Sequence, residues 1–389
     1  MKDIEEKSCH CALNRIFGFK PKIGLALISH LGSAAEAFRL KDRDLDILLG
    51  PYTGMKGQLN PAAVEKAAEE LSRLEDMDIR FVGWNEDDYP DLLHECEDAP
   101  IGLYVRSRTP MGELWKPQRR IAVIGTRDIT PYGKEWCTRI VSDLAGAQEK
   151  PVIVSGLALG TDICAHRTAL DNGLPTIAVM ATGPEAVYPY RHSEFADRIL
   201  NTPGCALVTD YPPGTAPLSI HFLRRNRIIA GLSEASILIE SRIRGGGMTT
   251  SKLAFSYSRE VYALPGRVDD PCSQGCNLLI RNKIAEPITS TDTLLESLRL
   301  DRTCRKHKIS YEDVIRNAYN ESRSSETVDR LCRIIRIIKE ERGISLDEIT
   351  SATGYDPGTV LHIAGLLETD GFINIDILQR CCIEIGKFR

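Results

Sequence analysis

The sequence predicts an α/β protein built on a doubly wound, mostly parallel, Rossmann-like sheet, with a helical domain before it and a small domain after it. Three observations carry this. The central part of the chain alternates short apolar runs with helix-length segments. The runs are continuously apolar rather than alternating, which marks strands buried on both faces, as in parallel sheets. The chain has 389 residues, 42% hydrophobic and 26% charged, enough for two or three domains with real cores and far from a disordered composition.

Taken in order, residues 9–75 read as short helices punctuated at Pro21-Lys22-Ile23-Gly24 and His30-Leu31-Gly32-Ser33. Ile79–Trp84 and Ile101–Val105 read as extra strands joining the main sheet. The main strands are Arg120–Gly125, Val152–Ser155, Thr176–Met180, Ala206–Thr209, Ser236–Glu240 and Val261–Leu264. Helices are expected near 131–147, 161–172, 193–201, 219–232 and 248–258. Residues 299–325, polar and charged, read as a linker. Val328–Lys339 is strongly amphipathic. Ser345 and Glu348 then form a capping box that opens a helix to Thr353. Gly354-Tyr355-Asp356 turns into Pro357–Thr369, with proline in the first turn. Gly371–Ile377 can supply a β-wing, so the module resembles a winged helix-turn-helix. Its third helix carries His362, Glu368 and Asp370 but no Arg or Lys, so packing or protein contact suits it better than duplex reading. The expected domains are 1–75, 76–298 and 326–389, with 299–325 between the last two.

Composition excludes several classes of function. A net charge of −5 gives no global attraction to nucleic acid or anionic membrane, so any polyanion site must be a local concentration of cations. No apolar run reaches membrane-spanning length, and Met1–Lys7 lacks a signal-peptide core. The expected location is the cytoplasm, where the twelve cysteines stay reduced. Cys9-His10-Cys11, Cys272/Cys276, Cys304/His307 and Cys381-Cys382 form no paired CxxC set, so they read as scattered small hydrophobes and no metal is expected.

The segment 222–232, Phe-Leu-Arg-Arg-Asn-Arg-Ile-Ile-Ala-Gly-Leu, breaks its own pattern. As a helix, its inward stripe runs Phe222, Arg225/Asn226, Ile229, Leu232, with polar groups where Leu or Val belongs. A solvated basic face is the ordinary reading of such a run. The alternatives are a buried, fully paired network or a helix end facing a cleft. The window 219–244 holds Arg224, Arg225, Arg227, Arg242 and Arg244 against only Glu234 and Glu240.

In an open parallel sheet, ligands bind beyond the carboxyl ends of the strands. The first main strand ends there in Gly125-Thr126-Arg127, and the second in Ser155-Gly156-Leu157-Ala158-Leu159-Gly160-Thr161-Asp162. The fifth ends in Glu240 followed by Arg244-Gly245-Gly246-Gly247-Met248-Thr249-Thr250. Glycine loops entering helices let backbone N–H groups approach an anion. Either loop alone reads equally well as an ordinary βα turn; their convergence with the arginines favours an anion cleft. No G-x-G-x-x-G, P-loop or G-x-S-x-G occurs, so no nucleotide cofactor is expected. Asp162 and His166, one helical turn apart, could be an acid/base pair, but a helix cap and a packed histidine are the better reading.

These residues carry a resemblance. Ile121–Arg127, Ser155–Ala158, Gly160 with Asp162 and Ala165-His166, and Tyr188-Pro189 fit a known order, as do Phe222 with Arg225–Leu232 and Gly245-Gly246 with Thr250. Pro265-Gly266 and Gly275 with Asn277, Leu279 and Ile280 complete it. Over roughly 79–298 the chain resembles the DNA-processing A family (DprA, also called Smf), and its ends resemble the family's SAM-like helical and winged-helix domains. The resemblance implies a non-catalytic, often homodimeric protein that binds single-stranded DNA and hands it to the RecA recombinase in natural transformation. It further implies that Arg127, Arg225, Asn226 and Arg227 line the pocket, with Gly156 and Gly245–Thr250 framing it. Thr126, Phe222, Arg224, Arg244, Gly246 and Gly247 complete the expected DNA-binding set. Two departures stand out: Leu159 occupies a usual arginine position, and Leu223 a frequent proline position. The rival class is a nucleotide-cleaving phosphoribohydrolase of the lysine-decarboxylase-like group, whose loop reads GGxGTxxE. Here Met248 stands at the glycine position, and residues 250–253, Thr-Ser-Lys-Leu, lack the glutamate.

Overall fold

A computed structural model describes residues 2–116, 118–301, 311–320, 322–341, 343–376 and 378–384. The chain divides into two compact units, residues 1–303 and 304–389.

The first unit opens with helices α1 (Lys2–Phe17), α2 (Pro21–Leu31), α3 (Ala34–Ala37), α4 (Asp42–Leu49) and α5 (Pro61–Glu75). The breaks follow local chemistry. Pro21 sits in the first turn of α2, left-handed Gly32 ends it, and the Ser33 hydroxyl caps α3 by accepting from Ala35 N–H. Two antiparallel strands follow, β1 (Ile79–Gly83) and β2 (Gly102–Arg106), with short helices α6 (Asp91–His94) and α7 (Met111–Leu114).

The main strands are β3 (Arg120–Ile124), β4 (Val152–Ser155), β5 (Thr176–Val179), β6 (Ala206–Thr209), β7 (Ala235–Leu238), β8 (Glu260–Ala263) and β9 (Glu286–Pro287). Helices α8 (Pro131–Leu144), α9 (Thr161–Asp171), α10 (Ser193–Leu200), α11 (Ser219–Gly231), α12 (Gly246–Ser256), α13 (Gln274–Arg281) and α14 (Thr291–Ser297) connect or follow them. The order is β1-β2-β6-β5-β4-β3-β7-β8-β9, parallel from β6 to β9, with β1 and β2 added antiparallel at the β6 edge. Strand β3 shows why both faces must be apolar. Ile121 and Val123 enter the core under α8 and α9, while Ala122 and Ile124 enter the one shared with α11, α12 and α1. The chain runs outward from β3 to β6 and then returns to place β7 against the other side of β3. That reversal leaves a crevice beyond the carboxyl ends of β3 and β7.

The N-terminal helices are fastened to this sheet at the end of β6. Asp210, with its side chain fully buried, accepts from Arg224 Nη2 at 2.6 Å and Arg227 Nη2 at 2.5 Å. Its carbonyl accepts from Asn14 Nδ2 on α1 at 2.9 Å. The Arg224 guanidinium also lies 4.6 Å from the Phe19 ring centroid and 4.9 Å from that of Tyr211.

In the second unit, α15 (Tyr311–Tyr319), α16 (Ser325–Glu340), α17 (Leu346–Thr353) and α18 (Pro357–Thr369) accompany a three-stranded antiparallel sheet. Its strands are β10 (Ile344–Ser345), β11 (Ile373–Ile375) and β12 (Arg380–Ile383), ordered β10-β12-β11. The Ser345–Glu348 capping box is present. The expected linker needs correction: its part 302–310 lies outside the described residues, but 311–319 is helical, because Ile315 and Tyr319 bury into the core of this unit. Cys304 and His307 also lie outside the described residues.

Asp210→Ala leaves two largely buried guanidinium groups without their carboxylate, the situation that costs most in buried ion networks. The expected loss is about 3 kcal/mol of unfolding free energy, read from urea midpoints at constant m.

Candidate functional site

The crevice beyond β3 and β7 is an open cleft of about 550 Å³. Its walls are the loops after β3 and β7, the loop from β4 into α9, and the first turns of α11. Both flanking glycine loops lead into helices that start without a side-chain cap: Gly160 is the N-cap of α9 and Gly245 that of α12. At α12 the N–H groups of Gly246 and Gly247 have no acceptor among the described residues and stand at the positive end of the helix. Gly160 is required twice over. Its φ of +73° is left-handed, and a Cβ there would lie 2.3 Å from the Thr126 carbonyl oxygen. The same carbonyl accepts from Thr161 N–H at 3.0 Å, locking the first loop to the start of α9.

Helix α11 sorts its polar residues by direction. Arg225 and Asn226 face the cleft; Arg224 and Arg227, on the opposite side of the helix, turn to Asp210 and line no part of it. Arg225 is only 3% exposed. Its Nη1 donates to the Gly156 carbonyl at 2.7 Å and to that of Val179, at the carboxyl ends of β4 and β5. Burial pulls its guanidinium down to about 10, opposed by the Asp162 carboxylate and reinforced by Arg127. It stays charged at neutral pH, a fixed positive source beneath the cleft. Asp162 is pushed up by burial and held down by Arg225 and by loop N–H donors, including Ala158 at 3.3 Å. Asp162 therefore clamps the loop, a correction to its expected role as helix cap, which falls to Gly160. Asn226 reaches the Gly246 carbonyl at a long 3.5 Å.

The exposed cations are different residues. Arg127, Arg242 and Arg244 stand at the cleft and, among the described residues, form no ion pair. Arg127 lies 4.8 Å from the Phe222 ring centroid, and Phe222 lies 5.5 Å from Tyr188, itself 45% exposed. Of the expected residues, Thr126, Arg127, Phe222, Arg225, Asn226, Arg244, Gly245, Gly246, Gly247 and Thr250 line the cleft, and Gly156 seats Arg225 beneath it. Arg242, Leu159 and Tyr188 line it as well. Arg242 was legible only as one of five arginines in its window; what singles it out is its lack of a carboxylate. Glu240 is fully buried and committed to Thr130, accepting from its N–H at 2.9 Å and from its hydroxyl. His166 lies in the interior with Nδ1 2.7 Å from Thr176 Oγ1, and burial drives it down to about 3. It does not form an acid/base pair with Asp162.

Fold and site together define an α/β protein in which, among the described residues, unpaired arginines and two helix starts without side-chain caps gather at the carboxyl edge of a parallel sheet. The comparisons agree with that class and narrow it. Residues 80–299 match the family described as DNA recombination-mediator protein A. The DNA processing protein DprA of Streptococcus pneumoniae is 34% identical over 260 residues, 65% of this chain and 88% of that protein. The X-ray structure of the Streptococcus pneumoniae protein superposes with a TM-score of 0.60 at 30% identity, covering 73% of this chain and 95% of the other. A structure of DNA processing protein A from Helicobacter pylori, described for its single-stranded DNA binding mode, gives a TM-score of 0.50 at 28% identity, over 57% and 95%. This chain belongs to the DNA recombination-mediator protein A family.

Two outcomes follow from the buried part of the site. A Cβ on residue 156 would lie 2.3 Å from Arg225 Nη1, so Gly156→Ala should unseat the guanidinium. The loss should be about 2 kcal/mol, the usual scale of overpacking, seen as a lower urea midpoint. His166 binds its proton only near pH 3 when folded but near 6.5 when unfolded. Its contribution is thus complete above pH 6.5 and is lost as pH falls, by about 1.4 kcal/mol per unit. His166→Gln should flatten the decline in stability between pH 6.5 and 4.5, measured by urea titration at each pH.

Proposed function

We propose that this chain binds single-stranded DNA without sequence preference in the cleft beyond β3 and β7, as a non-catalytic step of DNA processing. The observation that carries the reading is the company of Arg127, Arg242 and Arg244, exposed and unpaired, with the free N–H groups of Gly246 and Gly247. Phosphates suit that wall, and the Tyr188–Phe222 pair offers base faces a stacking surface that tolerates any base. The Helicobacter pylori relative supports single-stranded DNA as the polyanion. Hydrolysis of a nucleotide is disfavoured because Glu240, the buried acid after β7, already has Thr130 on both of its oxygens.

We extend the family's role to this chain. The strand is protected during natural transformation and passed to the RecA recombinase by a homodimer, in the cytoplasm. Among the described residues no helix is long and apolar enough to cross a membrane. We read the N-terminal helices as SAM-like, α16–α18 with β10–β12 as a winged helix, and 1–75 and 76–298 as the limits of the first two domains. Arg224 and Arg227 support this cleft through Asp210. The winged helix, with Leu361 60% exposed and no cation on α18, serves protein contact.

Arg225 is unsuited to testing this, because replacing a cation buried among carbonyls would disturb folding. Arg127→Glu with Arg244→Glu should instead abolish retention of an oligo-dT strand and leave the thermal melt within about 1 °C, as surface changes do. Arg244→Ala alone should lower the slope of log K against log salt by about 0.7, one phosphate on a single strand. Full binding by the double variant would refute the reading.

A further inference from the structure

The apolar surface of the cleft does not stop at its rim. Leu223 lines the cleft and is exposed, and Ile220, three residues earlier and so its neighbour on α11, is exposed as well. Leu218 is a third, at the start of α11 between the cleft residues Pro217 and Ser219. Ile220 also neighbours Arg224, four residues on, whose guanidinium lies 4.6 Å from the Phe19 ring centroid. Phe19 comes from the turn between α1 and α2, lies 5.7 Å from the His221 ring and is still 61% exposed. Lys20 follows it, exposed and, among the described residues, without an ion pair. Its Nζ lies 4.4 Å from the ring centroid of Tyr52. An apolar shelf therefore runs from the cleft around the first turns of α11 onto the N-terminal helices, and ends at a cation on an aromatic ring.

We propose that this shelf carries the bases of a single strand where it leaves the cleft, with Phe19 as a stacking partner and Lys20 meeting a phosphate beyond it. It rests on the reading of the cleft as a single-strand site and extends that footprint onto the N-terminal helices. A contiguous exposed apolar patch marks a binding surface, and three features favour a strand over a protein. The shelf begins at Leu223, inside the cleft, so a strand bound there reaches it without a gap. Arg224 already has Asp210 for its charge, and it holds one side of the Phe19 ring by a cation–π contact. Such a fixed, half-open ring offers a stacking surface, and every base has a π-face to place on it. Lys20 over Tyr52 then sets a cation beside an aromatic ring, as Arg127 and Phe222 do in the cleft. That alternation suits a repeat of phosphates and bases, whereas lysine is depleted from protein interfaces.

The test compares binding of two oligo-dT strands by the full chain, one of about four nucleotides that stays in the cleft and one of about twenty that passes beyond it. Phe19→Ala should weaken the longer strand about tenfold, the scale of one lost stacked base, and leave the shorter one unchanged. Phe19→Trp should keep the longer strand's affinity. Its added indole emission, measured against the unmodified chain, should be quenched by the longer strand alone. Because Phe19 also packs against His221, Lys20→Glu supplies a second reading free of that contact, with the same selectivity for length. Losses equal on both lengths, or absent from both, would overturn the inference and leave the cleft reading standing. So would a lower sedimenting mass of DNA-free Phe19→Ala, which would assign the shelf to a second copy of this chain. Failure of the unmodified chain to bind either strand would instead refute the cleft reading, and this one with it.

Discussion

The constraint on which the site depends is the seating of one guanidinium. Arg225 enters from α11 and ends among the carbonyls that close β4 and β5, with the Asp162 charge supporting its own. A cation this deeply buried survives only when its donors find acceptors and its charge finds a counterpart. Both come from loops that must first be shaped: Gly156 leaves room for the side chain, and Asp162 ties the loop through N–H groups. Removing any of the three partners strands the others. The loop that frames the cleft and the helix that floors it are therefore one unit, and the positive field at the carboxyl edge is built into the fold rather than laid on its surface.

The remaining cations of α11 do different work because of where a helix points them. Four consecutive polar residues, 224 to 227, cover a full turn, so two face the cleft and two face away. Arg224 and Arg227 converge on Asp210, which also holds α1 through its carbonyl. Phe19 lies against Tyr211 and His221, with Arg224 over its ring. The helix that floors the cleft is thus the helix that anchors the N-terminal domain. Displacing α1 would disturb Asp210, and through it the helix carrying Arg225.

Much of this was legible in the sequence, and the boundary has physical reasons. The six main strands lie within two residues of their apolar runs, because a strand buried on both faces needs continuous apolarity and little else imitates it in that context. The capping box at Ser345, the left-handed Gly32 and the proline-started α18 were readable because caps are local. Helix α12 begins at Gly246, two residues earlier than its pattern indicates, because glycines hide a first turn that tertiary contacts impose. Helix α15 was lost among charges: two buried residues, Ile315 and Tyr319, are too few to show a period. The misfit at Arg225/Asn226 was visible, but the division of labour along α11 was not. It depends on Asp210, which lies 14 residues from Arg224 and 17 from Arg227, so no local pattern reports the pairing.

Leu159 shows how the pieces combine. It lines the cleft beside Ala158, on the α9 wall, an apolar side chain among cations. The two walls therefore differ in kind. One carries Arg242, Arg244 and the α12 N–H groups; the other carries Leu159, with Tyr188 and Phe222 nearby. Arg127 stands between them, on the loop after β3, which lies between β4 and β7 in the sheet, with its guanidinium over the Phe222 ring. A strand bound as proposed would have its phosphates drawn to one wall and its bases to the other. Arg127 would then fix both, holding charge and aromatic surface in register. That makes it the cation whose loss the cleft is least equipped to absorb, because Arg242 and Arg244 can share phosphate contacts between them and neither is placed on the Phe222 ring.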